Sequence, residues 1–503
     1  MSPVGDVITR PTPRQMEDRI ARSLFWIVWL RGAMQLVSFL TTLVIARLLA
    51  PADYGLMALA VVWTSGIAGV AELGLGAAIV QFPDLEEREL NTCFWLVAGT
   101  TGVWYLALYA SAPTIAAWFA IPSLADVLRV AGLSLPLVAI RTVPDALLRK
   151  RLELNRISQG EAASLVVGLP VVLGLAWSGA GVWALVAGTL VMPLVQNIVS
   201  FWFVGWRPGL RIGSRRLREI LRYSLAFLGA RVGWAVYQQI DAVVLGKISG
   251  QTVLGIYSMA KVLATLPVDK VSVIANQLAF PIMAGLQTDR SAMRDGFLRG
   301  LRLVACTTVP LCVGAALVAD DLVSIAFTDK WQPMVPLLRV LCVFGLVRSL
   351  DVLLPPVLFA RYRTAFLFGW TVVLLLVMPF AFLTGAVSFG AAGVALALIV
   401  VYPIIMAWMA REALRELGIG VKILWHQLRP IAAATLMMAA LVLAVRWTIP
   451  GSDFADSLAR LVLAVSLGGL VYASAILRFG GPLVSEIARV TGWLRGRSLT
   501  VAK

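Results

Sequence analysis

Thirteen charged residues within long apolar runs are the ones whose chemistry needs a reason. Eight are basic: Arg31, Arg129, Arg141, Arg231, Lys261, Lys270, Arg339 and Arg348. Five are acidic: Glu72, Asp145, Asp241, Asp269 and Asp351. A cation facing lipid costs about 2.5–3.5 kcal/mol or more, so such groups belong on a bundle interior or beside water. Arg129 and Arg339 lie near the ends of their runs, where a long side chain reaches the interface. Helical phase sorts the others. Arg31, Gln35, Ser38 and Thr42 share an arc of about 60°, and Arg231, Trp234, Gln238 and Asp241 one of about 80°. Lys261, Thr265, Asp269, Ser272 and Asn276 form a third stripe, with Lys270 on the opposite face and Pro267 predicting a kink. Three polar stripes in apolar helices imply a wet cavity.

Spacing also predicts which charges neutralise one another. Arg141 and Asp145 are i,i+4 and Arg348 and Asp351 are i,i+3, so each pair can close along one helix. Arg31, Arg231 and Lys261 have no acid at such a spacing and are the first candidates for holding an anion, phosphate-bearing or acidic. Arg141 and Arg348 join them as substrate-binding candidates. Glu72, Asp145, Asp241, Asp269 and Asp351 are the candidate protonatable or cation-binding groups, which would couple movement to H+ or Na+. The competing reading makes these charges structural ion pairs between helices.

Other chemistry is excluded. The one histidine, His426, sits in a short polar loop, and Cys93, Cys306, Cys312 and Cys342 lie in apolar runs without metal-binding spacing. No catalytic residue, metal or cofactor is expected. The chain is 60% hydrophobic and 14% charged, against about 25% charged in soluble proteins. It reads as an all-α polytopic membrane protein. The net charge of +16 would suggest nucleic acid in a soluble protein, but membrane orientation accounts for it here.

A spanning helix needs about 20 mostly apolar residues. Fourteen such runs are legible, at 24–46, 54–80, 92–112, 124–147, 159–177, 182–205, 223–246, 253–284, 303–319, 335–359, 364–384, 391–410, 430–449 and 457–477. The apolar stretch 112–121 is too short to span and is expected in a connecting loop. With the N-terminus inside, thirty Lys/Arg fall on inside segments and five on outside segments, an alternation that a wrong count would scramble. Both termini are therefore expected in the cytoplasm. The organisation that follows is a cytoplasmic segment 1–23, an N-lobe 24–206, a basic linker 207–222 and a C-lobe 223–410. A cytoplasmic loop 411–429, a helix pair 430–477 and a basic tail 478–503 complete it.

The chain repeats itself. At an offset of 200, Arg31, Val44, Gly55 and Ala60 meet Arg231, Val244, Gly255 and Ala260. At an offset of 210, Leu128-Arg129-Val130 meets Leu338-Arg339-Val340. Six spans separate the copies, so two six-helix lobes form a parallel pseudo-repeat, and the last two helices are appended to it.

Several motifs lie in order along residues 20–410: Ala46-Arg47-Leu48-Leu49-Ala50-Pro51-Ala52-Asp53-Tyr54-Gly55, Glu72-Leu73-Gly74-Leu75-Gly76, and Ala146-Leu147-Leu148-Arg149-Lys150-Arg151-Leu152. Leu254-Gly255-Ile256-Tyr257-Ser258-Met259-Ala260, Phe280-Pro281 and Asp329-Lys330-Trp331 follow. With them the chain resembles the Wzx-type polysaccharide exporters of the multidrug/oligosaccharidyl-lipid/polysaccharide superfamily. The resemblance implies a MATE-like architecture of twelve core helices around a cationic cavity, often with two more. It also implies export of an undecaprenyl-pyrophosphate-linked oligosaccharide across the bacterial inner membrane, among membrane lipids and beside a polymerase and glycosyltransferases. The family has no invariant catalytic motif to carry over. Rival readings are a lipid II-type flippase, a MATE-like drug or cation antiporter, a membrane glycosyltransferase or polymerase, and a non-transporting scaffold of an assembly complex.

Overall fold

The computed structural model describes residues 32–481 except 33, 73, 83–84, 214–215, 288 and 451–452. The side chains at 220, 222–232, 273–274, 276–278, 280–282 and 284 also lie outside the description. Among the described residues the regular structure is helical, with no β-strand. The order is α1 (Met34–Leu48), α2 (Pro51–Ala71), α3 (Leu75–Gln81), α4 (Glu87–Phe119), α5 (Leu124–Ala131), α6 (Ser134–Ile140), α7 (Thr142–Lys150), α8 (Leu154–Trp177) and α9 (Val182–Val204). There follow α10 (Leu217–Gly285), α11 (Arg290–Leu317), α12 (Ala319–Ala326), a 3-10 turn (Asp329–Trp331), α13 (Met334–Asp351), α14 (Leu354–Ala360), α15 (Thr364–Leu417), α16 (Val421–Thr448) and α17 (Phe454–Phe479).

The fourteen apolar runs coincide with helix over their described residues, although several are interrupted. Among the described residues eight helices are long and apolar enough to cross a membrane by length and composition. One of these, α15, joins the eleventh and twelfth runs across Gly390; α10, which is not among the eight, joins the seventh and eighth across Gly250, both with non-helical backbone. The helix continues through Pro267, whose backbone stays helical. The stretch 112–121 is not a loop as expected, because α4 continues through Pro113 to Phe119.

The fourth and tenth runs are not single helices, and proline explains where they divide. A proline removes the N–H that would bond the carbonyl four residues back. Pro136 therefore frees Gly132 after α5, Pro144 frees Ile140 at the end of α6, and Pro355 frees Asp351 at the end of α13. Only 22–33% of the most apolar window of each crossing helix is buried, so most of that apolar surface faces outward. Trp202, Val166, Phe380 and Ile404 are among the exposed side chains. A face of that kind is stable against lipid and not against water.

The chain forms two compact units. One comprises the described residues of Met1–Leu48 with Trp63–Ala117 and Pro122–Val232; the other comprises Leu49–Val62, Trp118–Ile121 and Gly233–Lys503. The first has a core of Leu75, Ile79, Cys93, Phe94, Val97 and Val143, where α3, α4, α6 and α7 meet, and α8 and α9 pack side by side. In the second, α11 packs on α13 and α13 on α15. The appended pair α16 and α17 is held to α11 by Ala305, Ile431, Ala434, Ala475 and Ile476. Arg460 adds an ion pair to Asp321 at 2.8 Å, with both side chains largely buried.

Backbone geometry repeats between the units, residue by residue. After α7, Leu152 donates to the Arg149 carbonyl and Glu153 to that of Leu148; after α14, 210 residues on, Tyr362 donates to Phe359 and Arg363 to Leu358. These are Schellman closures, and Leu152 (φ 58°) and Tyr362 (φ 57°) both take the left-handed conformation usually left to glycine. Gly181 (φ 58°, ψ −131°) starts α9 as Gly390 (φ 59°, ψ −137°) starts the second half of α15. Intrahelical prolines recur too, at 170 and 193 in one unit and at 379 and 403 in the other.

Candidate substrate and coupling site

The ionisable residues at membrane depth converge most closely in the second unit. The first half of α10 sets Trp234, Tyr237, Gln238 and Asp241 at intervals of three and four, hence along one face. The second half brings Tyr257 and Lys261, one turn apart, against that face. The Asp241 side chain is 3% exposed. Its Oδ2 accepts from the Tyr257 hydroxyl at 2.7 Å and from Lys261 Nζ, and its Oδ1 accepts from the Ala242 N–H at 2.8 Å. Lys261 also lies 3.4 Å from the Gln238 carbonyl. Both carboxylate oxygens are thus satisfied, as a buried acid requires.

Two further acids surround Arg348 on α13. Its guanidinium lies 3.5 Å from Asp269 Oδ1, while Asp351 accepts from the Tyr402 hydroxyl on α15. Aromatic rings form the remaining wall. Tyr237 stacks on Tyr402 at 6.1 Å, Phe344 meets Tyr402 edge-on at 5.4 Å, and Trp234 lies 5.3 Å from Tyr237 and 6.4 Å from Trp370. Trp370 is fixed by its indole N–H to the Ile405 carbonyl at 3.0 Å. A narrow cleft with a cavity volume of about 20 Å³ lies between these walls, lined by Trp234, Tyr237, Gln238, Asp241, Lys261, Phe344, Arg348, Phe382, Leu398 and Tyr402.

This geometry corrects two expectations. Lys261 is not an unpaired cation: its acid lies 20 residues away, on the other half of α10, beyond the reach of a search within one helical turn. Arg348 makes its direct ion pair with Asp269, while Asp351, still within electrostatic reach of Arg348, ends α13 buried and accepts from Tyr402. Asp269 therefore faces Arg348 although it shares a stripe with Lys261. The described part of the site holds three carboxylates against two cations, so it is an ion-paired cleft and not a purely cationic one.

In the first unit the expected pair forms. Arg141 lies 2.9 Å from Asp145, whose other oxygen accepts from Ser200 on α9 at 3.0 Å. Glu72 ends the turn after α2, and a Cβ on Gly76 would come within 2.9 Å of its Oε1, so the second glycine of Glu72-Leu73-Gly74-Leu75-Gly76 makes room for that carboxylate. Gly74, at φ 68°, supplies the left-handed turn between them. Arg31 lies outside the described residues, and Arg231 lies in a helical stretch whose side chains are not described. The residues not singled out from sequence are the tyrosines, 237, 257 and 402. Their signal was available, since a tyrosine in an apolar run needs a partner for its hydroxyl.

Comparison with known proteins now decides the family. The model of the family described as polysaccharide biosynthesis protein matches residues 44–336. The chain belongs to this family. This agrees with the resemblance to the Wzx-type proteins that the motifs carry. Among its relatives, the teichuronic acid biosynthesis protein TuaB of Bacillus subtilis is 29% identical over 304 residues, 60% of this chain and 63% of TuaB, so the chain spans just under two thirds of that relative. The succinoglycan biosynthesis transport protein ExoT of Rhizobium meliloti is 24% identical over 93% of this chain and 94% of its own. Among solved structures, the lipid II flippase MurJ in an inward closed conformation superposes with a TM-score of 0.69 over 92% of this chain and 99% of MurJ. At 14% identity that likeness concerns the fold alone.

Proposed function

We propose that this polysaccharide exporter carries an undecaprenyl-pyrophosphate-linked oligosaccharide repeat unit from the cytoplasmic to the periplasmic leaflet of the bacterial inner membrane, by alternating access. The observation that carries the reading is the Asp241–Lys261 pair, its carboxylate buried and its lysine half-buried, at an aromatic-lined cleft of a family member. A lysine held by one carboxylate exchanges that partner for an incoming phosphate or acidic sugar at small net cost, because one ion pair replaces another. The carboxylate released is then free to take H+ or Na+, which supplies the coupling. An inside-negative potential favours outward movement of an anion by about 2.3 kcal/mol per charge per 100 mV. Both termini lie in the cytoplasm in this reading, where the polymer's glycosyltransferases work, with the polymerase on the far side.

The test uses the double variant Asp241→Asn/Lys261→Gln, which keeps hydrogen-bonding groups and removes both charges. In a strain whose own exporter is deleted, it should reach the membrane at normal level and fail to restore polymer. Full export at that level would overturn the role of the pair. The repeat-related Arg31 and Arg231 belong to the same proposal, and normal export by Arg31→Ala/Arg231→Ala would remove them from it. For coupling, Asp241→Asn or Asp269→Asn should make export insensitive to an imposed pH gradient; unchanged dependence in both rules the two carboxylates out.

A further inference from the structure

Within the second unit, two helices cross where their backbones touch. They are the first turns of α2 and of the second half of α10, which starts beyond the left-handed Gly250. A Cβ added to Gly55 would lie 1.7 Å from the Gln251 carbonyl oxygen, and one added to Gly255 would lie 1.8 Å from that of Pro51. The contact is reciprocal: each glycine meets the carbonyl four residues before the other. The two glycines are also 200 residues apart, the offset of the internal repeat. Repeat-related turns therefore meet through a local pseudo-two-fold axis. Such contacts are held by van der Waals attraction and weak Cα–H···O interactions, with no interlocking side chain at their centre.

Two polar atoms at this crossing, Tyr54 Oη and Gln251 Oε1, are buried and have no hydrogen-bond partner among the described residues. Beside them, the Tyr54 ring meets Trp331 edge-on at 5.3 Å. A buried polar atom left unpaired penalises the state that buries it. The crossing thus combines a close, symmetric fit with a built-in incentive to part, since separation hydrates both atoms.

We infer that the Gly55–Gly255 crossing is a seal that opens and closes during transport, on the side that the distribution of Lys/Arg assigns to the periplasm. It rests on the alternating-access reading above. The glycines permit closure, and the orphaned Tyr54 and Gln251 atoms keep the closed state from being too stable to open.

The test is labelling of Gln251→Cys by a membrane-impermeant thiol reagent added from outside, in a chain whose four native cysteines are replaced by alanine. Labelling should be slow in that chain. Gly255→Ala, whose methyl group the closed crossing cannot accept, should label at least about tenfold faster and lose export. Tyr54→Phe removes one orphaned atom without adding bulk and should label severalfold more slowly. Unchanged labelling in both variants, present at normal membrane level, would overturn the seal. If Gly255→Ala does not reach the membrane, the rate for Tyr54→Phe decides alone. Labelling is read without any transport, so altered rates in the variants, when the chain with Gly55, Gly255 and Tyr54 intact exports no polysaccharide, would leave the seal standing and refute the function, while unchanged rates with intact export would do the reverse.

Discussion

Asp241 holds three donors at once, and two of them come from the neighbouring half of α10. Losing only one charge of such a pair is worse than losing both, because the survivor stays buried without compensation, at a cost of about 3–5 kcal/mol. Lys261→Ala is therefore expected to lower thermal stability and membrane abundance more than Asp241→Asn/Lys261→Gln does, a comparison readily made by fluorescence-detected size exclusion. A second residue-scale expectation concerns Glu416, at the end of α15 and beyond the apolar run. Burial alone would raise its carboxyl, but hydrogen bonds and charge from Arg363 and Arg361 outweigh this and hold it below the ordinary glutamate range. A lowered folded value means stability that is fully present above the unfolded value of about 4.3 and lost as pH falls through the folded one. The melting temperature should thus fall with acidification below that point, and Glu416→Gln should flatten the slope. An equal slope in the variant would show that other carboxylates carry it.

At the scale of elements, turns decide where the apolar runs become separate helices. The backbone at Gly390, with φ 59° and ψ −137°, is closed to a residue carrying Cβ. Gly390→Ala should destabilise the second unit by about 1–3 kcal/mol, and Gly181→Ala should do the same in the first. Leu152 shows the opposite case, a half-exposed leucine at φ 58° where glycine would be unstrained. Leu152→Gly should raise the melting temperature, with a gain of about 1 kcal/mol. Tyr362→Gly should gain less, because the Tyr362 hydroxyl bonds Gln287 at 3.2 Å. A fall in stability for Leu152→Gly would mean that its side-chain packing outweighs the strain.

For the whole molecule, the alternation of basic segments makes a topological prediction. Single cysteines at 207–222 and 286–302 should be labelled only from the cytoplasm, and those at 247–252 and 384–390 only from outside. Labelling of 207–222 from the periplasmic side would overturn that map. The structure adds a reason for care in choosing sites, since 207–213 is not a free linker. Gly209 is gripped by Asn91 and Trp95 on α4, at 2.9 and 3.0 Å, and Gly213 by Thr92 at 3.0 Å. Leu210 and Ile212 remain exposed and make the better reporters.

The sequence by itself determined the class and the helices, because each is written in local or periodic signals. Apolar length marks a helix. The family motifs were legible too, and most of them turn out to encode backbone: Gly74 and Gly76 shape a turn around Glu72, and Gly55 and Gly255 permit a close crossing. The one intrahelical pair read correctly, Arg141 with Asp145, lies within a single helical turn. Only the tertiary structure decided the partners of Lys261, Arg348 and Asp351, and the aromatic wall that encloses them. The physical reason is that an ion pair between helices depends on how those helices are rotated and packed, and spacing along one of them carries no record of that.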